Sequence, residues 1–174
     1  MSHASIDFST LSLKDALDLA ILIEDEAKER YEEFVHQMEL HRTDEAASFF
    51  RFMAQNEARH GQELSERRQR LFPEAPRTVR PSMLWDVEAP EYDEARMFMT
   101  AREALHVALR CEEKAHAFFV AALPRIAEPE VKALFEELRD EEVEHQDLVK
   151  EQLAKLKPEA PVDPEDYADG PVGQ

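Results

Sequence analysis

Glu and His three residues apart lie on one face of a helix, one turn from each other, where both can reach a single cation. The spacing occurs five times in this chain: Glu33/His36, Glu57/His60, Glu103/His106, Glu113/His116 and Glu142/His145. The chain is so rich in Glu that spacing alone selects none of them. The apolar pattern does. Ala46, Phe50, Met53, Glu57, His60 and Leu64 form one helical stripe, and Val131, Phe135, Leu138, Glu142, His145, Val149 and Leu156 form another. Two single carboxylates have the same setting. Glu24 is flanked by Ala20, Ala27 and Tyr31, and Glu112 by Leu105, Ala108, Ala115 and Phe119. The other three pairs fall off the stripes. Glu33 and His36 share a face with Glu26, Glu29 and Arg30, Glu103 and His106 lie on the side of Arg110, and Glu113 and His116 flank the stripe without occupying its centre.

Four carboxylates and two imidazoles are therefore expected in the core. Burying one unpaired carboxylate is costly, and burying four together adds mutual repulsion. Two divalent cations would balance them in formal charge. Mixed carboxylate and imidazole ligation suits iron or manganese, whereas zinc usually has fewer ligands. The alternative is a buried polar network without metal.

Four helical segments must position these side chains. The pattern predicts helices over about residues 12–40, 43–71, 100–124 and 129–156. Ser12 and Thr43 are the expected caps of the first two, Thr100 and Glu103 make a capping-box pattern, and Pro129 suits a first helical position. Links of two or three residues are expected within each pair of helices, making antiparallel hairpins. Residues 72–99, with Pro73, Pro76, Pro81 and Pro90, form a crossover long enough to run the length of the bundle. The hairpins also resemble each other. Glu24-x-x-Ala27-x-x-x-Tyr31 parallels Glu112-x-x-Ala115-x-x-x-Phe119, and Phe50-x-x-Met53-x-x-x-Glu57-x-x-His60 parallels Phe135-x-x-Leu138-x-x-x-Glu142-x-x-His145. A duplicated hairpin with a pseudo-two-fold axis follows. The fold class is all-α, a four-helix bundle of two antiparallel hairpins joined by a long crossover.

The 174 residues suffice for one domain, expected over residues 1–156, followed by an acidic, Pro-rich flexible tail over 157–174. That tail is read as solvated, with docking to a partner or shell as the alternative. A net charge of −18 disfavours nucleic acid and anionic membranes and attracts cations, though it also serves solubility. No stretch is apolar for long enough to span a membrane, and the first residues do not resemble a signal peptide. The expected location is the cytoplasm. The single cysteine, Cys111, can form neither an internal disulfide nor a Cys₄ metal site and is read as a small core residue.

The six positions Glu24, Glu57, His60, Glu112, Glu142 and His145 resemble the ferritin-like di-iron carboxylate superfamily, and within it the rubrerythrin family. The resemblance covers about residues 12–156. It implies two iron ions per bundle, with manganese or zinc able to substitute. It gives Glu57 and Glu142 a bridging or near-bridging position and lets Glu24 and Glu112 cap or bridge the ions from the opposite hairpin. Tyr31 becomes a hydrogen-bond donor to a carboxylate across the bundle; the alternative is an ordinary core aromatic. A homodimer is also implied. Two features depart from the family pattern: the rubredoxin-like Cys₄ domain is missing, and Leu109 stands where a further carboxylate is usual. The implied activity is reduction of hydrogen peroxide or dioxygen, with electrons from a separate donor protein or from Fe(II) itself. Two alternatives remain: a ferroxidase serving iron storage or detoxification, and a helical scaffold that has lost its metal.

Overall fold

Ser12 opens the first helix. Its hydroxyl accepts from the Asp15 backbone N–H at 3.2 Å and donates to the Asp15 carboxylate at 2.8 Å. The computed structural model describes residues 6–40, 42–79 and 100–156. Helix α1 spans Leu13–Leu40, α2 Asp44–Leu71, α3 Ala101–Ala122 and α4 Pro129–Lys155.

Thr43 occupies the N-cap position of α2, but its side chain makes no capping bond there. Its hydroxyl and its N–H both donate to the Met38 carbonyl at 2.9 Å, closing the end of α1 instead. Asp44 and Glu45 supply the favourable charge at the start of α2. The tight reversal needs a left-handed residue, and Arg42 takes it at φ 56. The capping box at α3 forms in full: Glu103 N–H donates to the Thr100 hydroxyl at 3.2 Å and Thr100 N–H to the Glu103 carboxylate at 2.8 Å. The link from α3 to α4 is longer than expected, over residues 123–128. Pro124 cannot continue the helix, and Leu123–Arg125 tightens into one 3₁₀ turn before Pro129 starts α4.

Two apolar plugs hold the bundle together. The first gathers Leu17, Ala20 and Ile21 from the start of α1, Leu64 near the end of α2, Phe119 and Ala122 from the end of α3, and Val131, Leu134, Phe135 and Leu138 from the start of α4. The second gathers Tyr31, Phe34 and Met38 from the end of α1, Ala46, Phe50 and Met53 from the start of α2, Leu105 and Ala108 from the start of α3, and Val149 from the end of α4. The membership fixes the directions. α1 and α2 are antiparallel, α3 and α4 are antiparallel, and α2 and α3 are parallel, so α3 begins at the opposite end of the bundle from the end of α2. This is the ferritin-like arrangement. The expected crossover is described only as far as residue 79, and its remainder, with the acidic tail, lies outside the described residues. No helix among the described residues is long and apolar enough to cross a membrane.

Candidate metal centre

Between the two plugs lies a polar layer, and each helix enters it at one point. Glu24 on α1 sits between Ile23 and Tyr31, and Glu57 on α2 between Ala54 and Leu64. Glu112 on α3 sits between Ala108 and Phe119, and Glu142 with His145 on α4 between Leu138 and Val149. The helical repeat that builds the stripes also aims these side chains inward. Glu24, Glu57, Glu112, Glu142 and His145 each expose 5% or less of their surface. His60 has a side chain 13% exposed, which places it at the edge of the layer.

The structure brings all six side chains together. His145 Nδ1 lies 3.3 Å from Glu57 Oε1 and 3.5 Å from Glu112 Oε2. His60 Nδ1 lies 3.9 Å from Glu24 Oε2. The two imidazoles stack, with centroids 5.3 Å apart and planes 7° from parallel. Each histidine thus faces carboxylates from the other helices as well as its own. Donor atoms of Glu57, His60 and His145 lie within 4.8 Å of one another, as do those of Glu112, Glu142 and His145. Tyr31 reaches across from α1 and donates its hydroxyl to Glu112 Oε1. Gln146 donates to the Glu112 backbone carbonyl at 3.4 Å.

The electrostatics follow from this crowding. Burial pushes the Glu24 carboxyl from an ordinary 4.5 up to about 7, with a hydrogen bond to Glu57 and the His145 charge working against the rise. Burial would also raise Glu112, but hydrogen bonding and charge from His145, with hydrogen bonds from Glu142 and Tyr31, hold it below its ordinary value. For His145, burial favours the neutral ring, yet Glu112 outweighs it and the pKa rises. His60 is lowered, first by burial and then by the charges of His145 and Arg59. Burial and the charges of Glu112 and Glu57 lift Tyr31 well above 10, so it stays protonated and remains a donor.

The donor set suits a hard or borderline divalent cation: carboxylate oxygens and imidazole nitrogens, with no thiolate among them. One atom points to such a ligand directly. His60 Nδ1 is buried and has no hydrogen-bond partner among the described residues.

The rejected pairs lie elsewhere. Glu33, His36, Glu103, His106 and Glu113 are exposed, and His116 is half-buried. Cys111 is half-buried and packs on the second plug. One residue of the layer escaped the sequence pattern. A Glu141 oxygen lies within 4.8 Å of donor atoms of both Glu24 and His60. The Glu-x-x-His spacing points past it to Glu142. The signal was nevertheless present, because Leu134, Leu138, Glu141 and His145 repeat at four, three and four residues, which is core spacing.

The sequence matches the rubrerythrin family over residues 15–92 and 103–172. A crystal structure of an uncharacterized conserved protein from Magnetospirillum magnetotacticum MS-1 is 31% identical, with a TM-score of 0.69 and a match covering 86% of this chain and 99% of that one. No curated protein matches the chain. On the extent of the family match, with a ferritin-like bundle built around buried Glu and His groups that could hold metal, the chain belongs to the rubrerythrin family.

Proposed function

We propose that this protein is a non-haem di-iron oxidoreductase that reduces hydrogen peroxide or dioxygen. The observation that carries the proposal is four carboxylates buried in one layer beside two stacked imidazoles. Glu112, Glu142 and His145 would hold one ion, and Glu57 with His60 and His145, or Glu24 with His60, the other. Bound iron would supply the two electrons that, with two protons, convert hydrogen peroxide to two waters.

The chain's own groups prepare the site for that work. The plugs above and below keep bulk water from the carboxylates, which strengthens their hold on a cation. Tyr31 holds one oxygen of Glu112, and the other lies 3.5 Å from His145 Nδ1. Glu24, Glu57, Glu112 and Glu142 would supply the carboxylate oxygens to bound iron, and His60 and His145 the imidazole nitrogens. Re-reduction would draw on a separate electron-donor protein or on Fe(II).

The acidic character of the chain, at −18, favours a second reading. As a ferroxidase, the centre would oxidise Fe(II) as substrate and release the product for storage. One experiment separates the two. The protein is loaded anaerobically with two Fe(II) per chain and mixed with hydrogen peroxide or with dioxygen. Oxidation faster with peroxide by about tenfold or more supports the oxidoreductase. Comparable rates, with further Fe(II) consumed beyond the first two, overturn it in favour of the ferroxidase.

A further inference from the structure

A cleft among the described residues opens onto the polar layer. It holds about 80 Å³ and runs between α2 and α4, lined by His60, Glu63 and Arg67 on one side and Glu137, Leu138 and Glu141 on the other. Its outer rim is exposed at Glu63 and Glu137, and Arg67 pairs with Glu137 at 3.2 Å across it. Its walls carry three carboxylates and one guanidinium, so the cleft is acidic and draws cations inward. Its inner end is His60, the least buried of the six predicted ligands.

Glu141 stands on the cleft wall, half-buried, one residue before Glu142. One step along a helix turns a side chain by about 100°, so Glu142 faces the centre and Glu141 faces the cleft. Its carboxylate oxygen, a Glu24 oxygen and a His60 nitrogen lie within 4.8 Å of one another. An ion about 2.1 Å from each donor separates them by at most about 4.2 Å, so a small side-chain movement closes the three around it. His60 Nδ1, buried, 3.9 Å from Glu24 Oε2 and without a hydrogen-bond partner among the described residues, is the atom that such an ion would satisfy.

We propose that Glu141 is a metal-binding carboxylate of this chain. With Glu24 and His60 it holds the outer of the two ions, and it is the group that takes a divalent cation from the cleft into the bundle. This inference rests on the two-metal reading above. It gives the outer site an acid beyond the six predicted ligands and makes the cleft between α2 and α4 the route of loading. Loading is then a property of one wall residue as well as of the central ligands.

Co(II) is a suitable probe, because its visible spectrum reports its ligands without turnover. Wild type, Glu141→Gln and Glu151→Gln are titrated with Co(II), and uptake is followed by stopped-flow absorption. Glu151 is exposed on the same helix and controls for the loss of one charge. Wild type and Glu151→Gln are expected to bind two Co(II) per chain alike. Glu141→Gln is expected to bind one of the two at least tenfold more weakly and to take it up several-fold more slowly. Wild-type affinity and rate in Glu141→Gln overturn the role of Glu141 and leave the two-metal reading standing. Failure of wild type itself to bind two Co(II) overturns both. Anomalous diffraction from Co(II)-loaded wild-type crystals tests the same point without a variant. An ion bonded to the Glu141 carboxylate is expected, and an ion on Glu24 and His60 with Glu141 turned to solvent contradicts it.

Discussion

Among the described residues, charge is buried at two places, only six residues apart along α1. At the first, Asp18 meets Arg68 of α2, with Nε 2.9 Å from Oδ1. Lys14 and Arg77 each approach Asp18 to 3.7 Å. The remaining guanidinium donors go to the Phe72 and Ala75 carbonyls. The acid is fully met by base there, and Arg68 fastens the chain just after α2 onto the end of the first hairpin. At the second place, around Glu24, four buried carboxylates share two imidazoles. The first cluster is closed by the chain's own groups. The second has more acid than base, and a cation from outside would close it. Burial of charge is thus structural in one case and, on the proposed function, a readiness to bind in the other.

The contrast is sharpest in metal uptake. Glu57→Gln or His145→Ala is expected to abolish stoichiometric iron binding, as measured by anaerobic titration. Glu57→Gln should at the same time raise the melting temperature of the metal-free protein, because it removes one of the repelling acids. A lower metal-free melting temperature would mean that the centre is balanced without metal, as the Asp18 cluster is.

Stability distinguishes the places in the opposite sense. Arg68→Met leaves Asp18 buried without its main partner and should cost about 3–5 kcal/mol in denaturant unfolding, with or without metal. Adding Asp18→Leu should restore most of it, less about 1 kcal/mol for each carbonyl that loses a donor. Dependence of the Arg68 effect on metal would join the two regions into one network.

Acidity gives a smaller, graded test. Glu24 holds its proton up to about 7 against an ordinary 4.5, and Glu112 raises His145 above its ordinary 6.5. The unfolded chain releases both protons earlier. The folded state therefore binds more protons over that window, and stability falls as pH rises through it. His60, lowered by burial, works the other way as one group against two. The metal-free melting temperature should fall from about pH 5 to about pH 8, while metal affinity rises because cations and protons compete for the same atoms. A metal-free melting temperature that climbs with pH would contradict the protonation assigned to Glu24.

Tyr31→Phe removes only the hydrogen bond to Glu112. It should weaken metal binding by about tenfold and leave the fold intact. His36→Ala, on the exposed face, should change neither binding nor stability.

Much of this was legible in the residues because two periodicities coincide. The apolar stripes of α2 and α4 run through Glu57, His60, Glu142 and His145, so one pattern announces both the helices and the side chains they aim at the layer. The capping box at Thr100 was legible because both of its partners are local. The role of Thr43 is not legible for the converse reason. Its hydroxyl chose between two helix ends, and the geometry of the reversal at Arg42 decided for α1. Asp18 and Arg68 went unnoticed because nothing local tells a buried acid with a distant guanidinium from a solvated one. Glu141 is masked by its neighbour, since the Glu-x-x-His spacing falls on Glu142.

The most direct test of the central claim is an anaerobic Fe(II) titration with the melting temperature followed at each addition. Binding that saturates at two Fe(II) per chain, with a melting temperature that rises to the same endpoint, is the predicted result. No saturable binding, or binding that leaves the melting temperature unchanged, would show that the buried carboxylates are balanced without metal.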